Sequence, residues 1–124
     1  MKLSLIYKVY GVYHIIFALV VGFASSMLSQ SSGWGEVTIG ITTMAEHFGS
    51  ALLVIGVISW MAPSWVSGEH IKKLGMLMGV YINILFVAVQ LFHISTEAAD
   101  LDPFGMFATA IFVVLFFWKC RASD

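Results

Sequence analysis

Charge is scarce in this chain. Only 10% of its 124 residues are Asp, Glu, Lys or Arg, against about 25% in a soluble domain. A single cysteine, Cys120, excludes an internal disulfide and with it a secreted disulfide scaffold. The six basic residues are scattered, which excludes a nucleic-acid footprint. Familiar catalytic signatures are also missing: there is no Gly-x-Ser-x-Gly, no Walker loop and no dinucleotide fingerprint. Apolar residues fill the chain instead, at 60% of the total, and the mean hydropathy is +0.94. So short a chain cannot hide that much apolar surface from water. The composition excludes a cytosolic enzyme and a disordered chain, and points to an integral membrane protein.

A span needs about 20 apolar residues at 1.5 Å rise each. Four segments qualify, roughly Leu3 to Ala24, Ile39 to Met61, Leu74 to Ile94 and Pro103 to Trp118. Short connections favour antiparallel neighbours, so the expected fold is all-α, a polytopic four-helix transmembrane bundle in a single domain. Lys2, Lys8, Lys72, Lys73, Lys119 and Arg121 then all fall on one side, while Glu36, Glu97, Asp100 and Asp102 fall on the other. The positive-inside rule makes both termini cytoplasmic, with an inner (plasma) membrane as the setting. Trp60, Trp65 and Trp118 sit at the cytoplasmic ends and Trp34 in the first outer loop, where an indole finds both oil and water. Asp102-Pro103 reads as a helix start and Ala62-Pro63 as the end of the second span. Ser25 to Gly35 reads as a flexible outer loop. A cleaved signal peptide is the rival reading of the N-terminus; the length of the apolar run, and Tyr13 and His14 near its middle, speak against it. Gly11-Val12-Tyr13 recurs as Gly79-Val80-Tyr81, which fits a duplicated hairpin.

Ionisable and amide groups inside a membrane turn toward the bundle interior. This selects His14 in span one, Glu46 and His47 in span two, and Asn83, Gln90 and His93 in span three. Asn83, Gln90 and His93 share one helix face, being separated by seven and then three residues. Gly11, His14, Ala18 and Gly22 form a small-residue face, and Gly49 with Gly56 marks a second line of close approach. Because spans two and three run antiparallel, Glu46, His47, Gln90 and His93 all fall in the outer half. The expectation is a pocket between these spans, open to the outside, with His14 as its floor if span one joins it. Each polar residue also has a structural reading, as interhelical glue worth about 0.6 kcal/mol per hydrogen bond.

Such a pocket suits a small ligand or a lipid head group without catalysis. A redox subunit is the competing class: haem needs two histidines on facing helices, and His47 with His93 is the best pair by depth, offset by about one turn. A metal site is not preformed, since no His-x-x-x-His or Glu-x-x-His occurs. A purely structural subunit, packed within the bilayer on a larger membrane complex or on itself, is the third class.

The run Ala45-Glu46-His47-Phe48-Gly49-Ser50-Ala51-Leu52 opening span two, with Trp60-Met61-Ala62-Pro63 closing it, resembles the small DoxX-like bacterial membrane proteins. The resemblance covers most of the chain in organisation. It implies a four-span fold and, through relatives associated with quinone-linked oxidoreductases, a connection to quinone. It carries over no catalytic residue.

Overall fold

The computed structural model describes residues 1–24, 36–98, 100 and 102–122. The run from Ser25 to Gly35, with Trp34, lies outside the described residues. The described residues are helical, with no strand. Four helices are long and apolar enough to cross a membrane: α1 (Leu3–Phe23), α2 (Ile39–Trp65), α3 (Gly68–Ser95) and α4 (Pro103–Arg121).

The helix ends have local causes. Thr38 caps α2, its Oγ1 accepting from the Ile41 N–H at 3.2 Å. Asp102 caps α4, its Oδ1 accepting from the Gly105 N–H at 3.1 Å, with Pro103 supplying the preset φ of the first helical residue. The Ala62-Pro63 stop does not hold. α2 runs through Pro63 to Trp65, because proline fits helical φ and removes only one hydrogen bond so close to the end. α3 begins with a polar turn containing Glu69, Lys72 and Lys73 and so starts before the apolar run. Within it, Met76–Tyr81 widens into a π-helical turn.

α1 and α2 pack along their whole length because glycine lets their backbones touch. A Cβ on Gly11 would stand 2.7 Å from the Trp60 nitrogen and 2.8 Å from the Gly56 oxygen. One on Gly56 would stand 2.9 Å from the Gly11 oxygen, and one on Gly49 3.0 Å from the Ala18 oxygen. In the second hairpin, a Cβ on Gly79 would collide with the Phe116 ring, so α4 seats Phe116 directly on the α3 backbone. The two glycines of the repeated Gly-Val-Tyr thus do the same job in their own hairpins.

Among the described residues, the buried core shared by the two hairpins lies at one end. Ile6, Tyr7, Tyr10, Ala62, Val80, Phe112 and Phe116 form a closed core there. Tyr7 Oη donates to the Ile71 carbonyl at 2.9 Å, and Lys72 Nζ to the Ala122 carbonyl at 3.1 Å. This end also gathers the six Lys and Arg residues. Lys8 lies 5.6 Å from the Trp60 ring centre and Lys119 4.2 Å from that of Trp118. The opposite, acidic end carries Glu36, Glu97, Asp100 and Asp102. Among the described residues its buried apolar cluster is Ala18, Val21 and Leu52, all on α1 and α2.

Replacing Gly56 by Ala forces α1 off α2, and a loss of about 1–3 kcal/mol is expected. Gly22→Ala, where an added Cβ meets nothing within 4 Å, should leave stability unchanged or raise it by up to about 1 kcal/mol. Unfolding titrations in mixed micelles check the contrast. Equal behaviour of the two variants would contradict the glycine contact.

Candidate functional site

Packing that is tight at the cationic end and sparse at the acidic end leaves a cavity of about 780 Å³ in the acidic half, walled by all four helices. That volume lies within the ~300–1,000 Å³ typical of ligand sites. α2 makes hardly any close backbone approach to α3, and the contact across the gap is an edge-to-face pair of Phe48 and Phe86 with ring centres 6.1 Å apart. The cavity therefore reaches the side of the bundle between these helices as well as its acidic end.

The floor is built by the π-helical turn. There the Ile82 N–H reaches back five residues to the Leu77 carbonyl and leaves the Met78 carbonyl without it. Two side chains supply donors. Tyr10 Oη donates to the Met78 carbonyl at 3.2 Å, and Asn83 Nδ2 lies 3.1 Å from the same oxygen, 3.0 Å from the Gly79 carbonyl and 3.0 Å from Tyr10 Oη. With its Nδ2 so engaged, Asn83 keeps Oδ1 free of any partner among the described residues. His14 packs on Tyr10, ring centres 4.0 Å apart, and its Nδ1 lies 2.9 Å from the Tyr10 carbonyl. A carbonyl only accepts, so Nδ1 carries the proton and Nε2 of the neutral ring is an acceptor. Nε2 too has no partner among the described residues. His14 is 6% exposed and Asn83 3%, and both line the cavity.

The walls are apolar and aromatic. Tyr13 and Phe17 stack nearly parallel on α1, with rings 7° from coplanar, and Phe48 and Phe86 face them. The mouth is polar and acidic, with Gln90, His93, Asp100 and Asp102 in the lining. The end of α3 is held by a Schellman arrangement: the Ala98 N–H bonds the His93 carbonyl at 2.8 Å, and the Glu97 N–H the Ile94 carbonyl at 3.1 Å. Glu97 takes the left-handed position, φ 55°, where glycine is usual. This fixes the last turn, which carries His93, and the point from which the chain departs toward Asp100.

His14, Asn83, Gln90 and His93 thus share one cavity. Glu46 and His47 do not join them, which corrects the expectation for those two residues. The face of α2 that lines the cavity runs through Ile41, Met44, Ala45, Phe48 and Leu52. At about 100° per residue, positions 46 and 47 fall off its two sides. Both are exposed, and His47 Nδ1 is tied to the Thr43 carbonyl of its own helix at 2.7 Å. The His47–His93 pair suggested for haem is separated for the same reason. Selecting residues by chemistry alone missed Phe48, Phe86 and Thr109; the glycine line of α2 was the available signal, since it fixes which face turns to α1 and hence which flanks the cavity. Nothing in hydropathy announces the π-helical turn.

Tyr10→Phe and Asn83→Leu each remove a donor from the turn, and each should cost about 0.6–1.7 kcal/mol. The double variant should lose less than the sum, because the two side chains bond each other. Reversible unfolding in mixed micelles measures the cycle; strict additivity would contradict a shared network.

No protein-family model matches the chain, and no curated protein or solved structure matches it at a significant level. What the cavity does is read from its own chemistry.

Proposed function

We propose that the chain is an integral membrane protein of the bacterial inner (plasma) membrane, with both termini cytoplasmic, that binds a small ligand or a lipid in the cavity without catalysis. The observation that carries the reading is the pair of acceptors His14 Nε2 and Asn83 Oδ1, which belong to buried residues and have no partner among the described residues, at the floor of an apolar cavity. Neither atom is sealed in packing, a state found among the described residues only at Ser59 Oγ; both are open to the cavity, and a few convergent polar groups in an apolar pocket are what orients a ligand. The gap between α2 and α3 gives a membrane-dissolved molecule a way in from the side. The gathering of the six Lys and Arg at one end supports the orientation, and the resemblance to DoxX-like proteins supports the bacterial setting. Glu46 and His47, on an exposed face of α2, are the groups we assign to association with a second copy or a larger membrane complex.

A quinone-linked redox subunit is the second reading, and the floor favours one form of it. Acceptors suit the hydroxyls of a quinol, which donate, and not the carbonyls of a quinone. A structural subunit is the reading that remains if the cavity holds nothing.

Native mass spectrometry from intact membranes tests the binding. The wild-type protein should carry a bound molecule of a few hundred daltons, and Ala45→Trp, which projects an indole into the cavity, should lose it. A bare wild-type protein would leave the structural reading standing. Orientation is checked in a Cys120→Ser background with Glu36→Cys or Lys73→Cys. An impermeant maleimide on intact spheroplasts should label position 36 and spare position 73; the opposite pattern inverts the topology.

A further inference from the structure

The charges around the cavity are one-sided, and its floor presents acceptors, while donors of Tyr13, Gln90 and His93 stand higher in the lining. Among the described residues no Lys or Arg lines it, whereas two carboxylates, Asp100 and Asp102, stand in its lining. A phosphate or carboxylate entering there meets negative charge and no ammonium or guanidinium to pair with. At the floor, the two polar side chains that are more than nine-tenths buried, His14 and Asn83, both present acceptors with no partner among the described residues. Thr109 adds a third: its hydroxyl proton is committed to the Gly105 carbonyl at 2.8 Å, which leaves oxygen lone pairs. Between floor and mouth lie the faces of Tyr13, Phe17, Phe48 and Phe86, whose quadrupoles favour a cation. A ligand that satisfies all of this brings hydrogen-bond donors, a positive charge and an apolar body.

We infer that the cavity takes a hydrophobic organic ammonium ion, whose N–H groups donate to His14 Nε2 and Asn83 Oδ1 while its apolar body lies against the aromatic walls between α2 and α3. The inference rests on the ligand-binding reading above and specifies its chemical class. The carboxylates draw the cation to the mouth over several ångströms of low-dielectric wall, where unlike charges interact more strongly than in water. The floor then supplies the short-range bonds. The floor acceptors, which have no partner among the described residues, receive the ammonium N–H groups, so its desolvation is offset where it comes to rest.

The test uses the full chain in nanodiscs of uncharged phosphatidylcholine, with equilibrium dialysis against empty nanodiscs to subtract partition into lipid. Three probes of one shape are compared: naphthylethylammonium, naphthylethanol and naphthylacetate. The ammonium should bind at least about tenfold more tightly than the alcohol, as a charge-assisted hydrogen bond implies, and the carboxylate should not bind above the empty discs. His14→Phe keeps a ring on Tyr10 and removes Nε2; it should weaken the ammonium by about tenfold. The Asp100→Asn and Asp102→Asn pair preserves the cap on α4, since Asn caps as well as Asp. It should weaken the ammonium and leave the alcohol unchanged, and it carries the test alone should His14→Phe fail to fold. Equal binding of ammonium and alcohol, indifferent to the Asp→Asn pair, overturns the choice of a cation while leaving a ligand site in place. Failure of the ammonium to bind at all also overturns it, and whether the cavity reading falls too is decided separately by the mass spectra of the wild-type protein.

Discussion

A carbonyl displaced from its helical partner in an apolar interior has to find another donor, because no water is there to supply one. The π-helical turn of α3 creates that demand at Met78, and Tyr10 of α1 meets it across the bundle with its hydroxyl at 3.2 Å. This hydrogen bond ties the first hairpin to the second. Around it pack Tyr7, Phe112 and Phe116, with Tyr10 edge-on to both phenylalanines at 5.0 and 5.3 Å. Asn83, four residues beyond Gly79, closes the network from the helix that bears the turn.

Closing one half of the bundle opens the other. Two hairpins pinned together at the cationic end diverge unless large side chains fill the acidic end, and there the chain offers Ala18, Gly22, Ala45 and Gly49 on the α1–α2 side. Small residues bring α1 and α2 into backbone contact, but the same choice leaves little side-chain volume there to fill the space toward α3. Phe48 and Phe86 touch at the gap without filling it. The cavity is therefore a consequence of where glycine was placed, and its floor is the upper surface of the network that holds the hairpins together. Tyr10 and Asn83 serve stability below and, through His14 and Oδ1, present acceptors above.

Much of this was legible from residue order. Hydropathy located the four helices, and the spacing of Gly11, Ala18, Gly49 and Gly56 identified the surfaces on which α1 and α2 meet. Asn83, Gln90 and His93 were rightly placed on one face because the π-helical turn lies upstream of them and leaves their mutual register intact. Glu46 and His47 were misjudged because intramembrane polarity was taken to mean inward orientation. On α2, however, the inward face was already determined by glycine and Phe48, and the polar pair lies near enough to the helix end to remain outside it. The role of Tyr10 was not legible, since its partner, a backbone carbonyl, has no letter in the sequence.

The distribution of charge serves two purposes with one pattern. Basic residues confined to one end favour a single orientation in a membrane, since Lys and Arg are retained on the cytoplasmic side. The same confinement strips the opposite end of cations, so carboxylates that merely begin a helix, as Asp102 does by capping α4, also set the sign of the field in the cavity beside them. One arrangement has both results: with the lysines gathered at one end and an aspartate capping α4, the acidic end of the cavity is lined by carboxylates and, among the described residues, by no Lys or Arg. What distinguishes this cavity from a packing defect is that its floor continues the same preference, with acceptors where a defect would be lined by methyl groups and by carbonyls already paired.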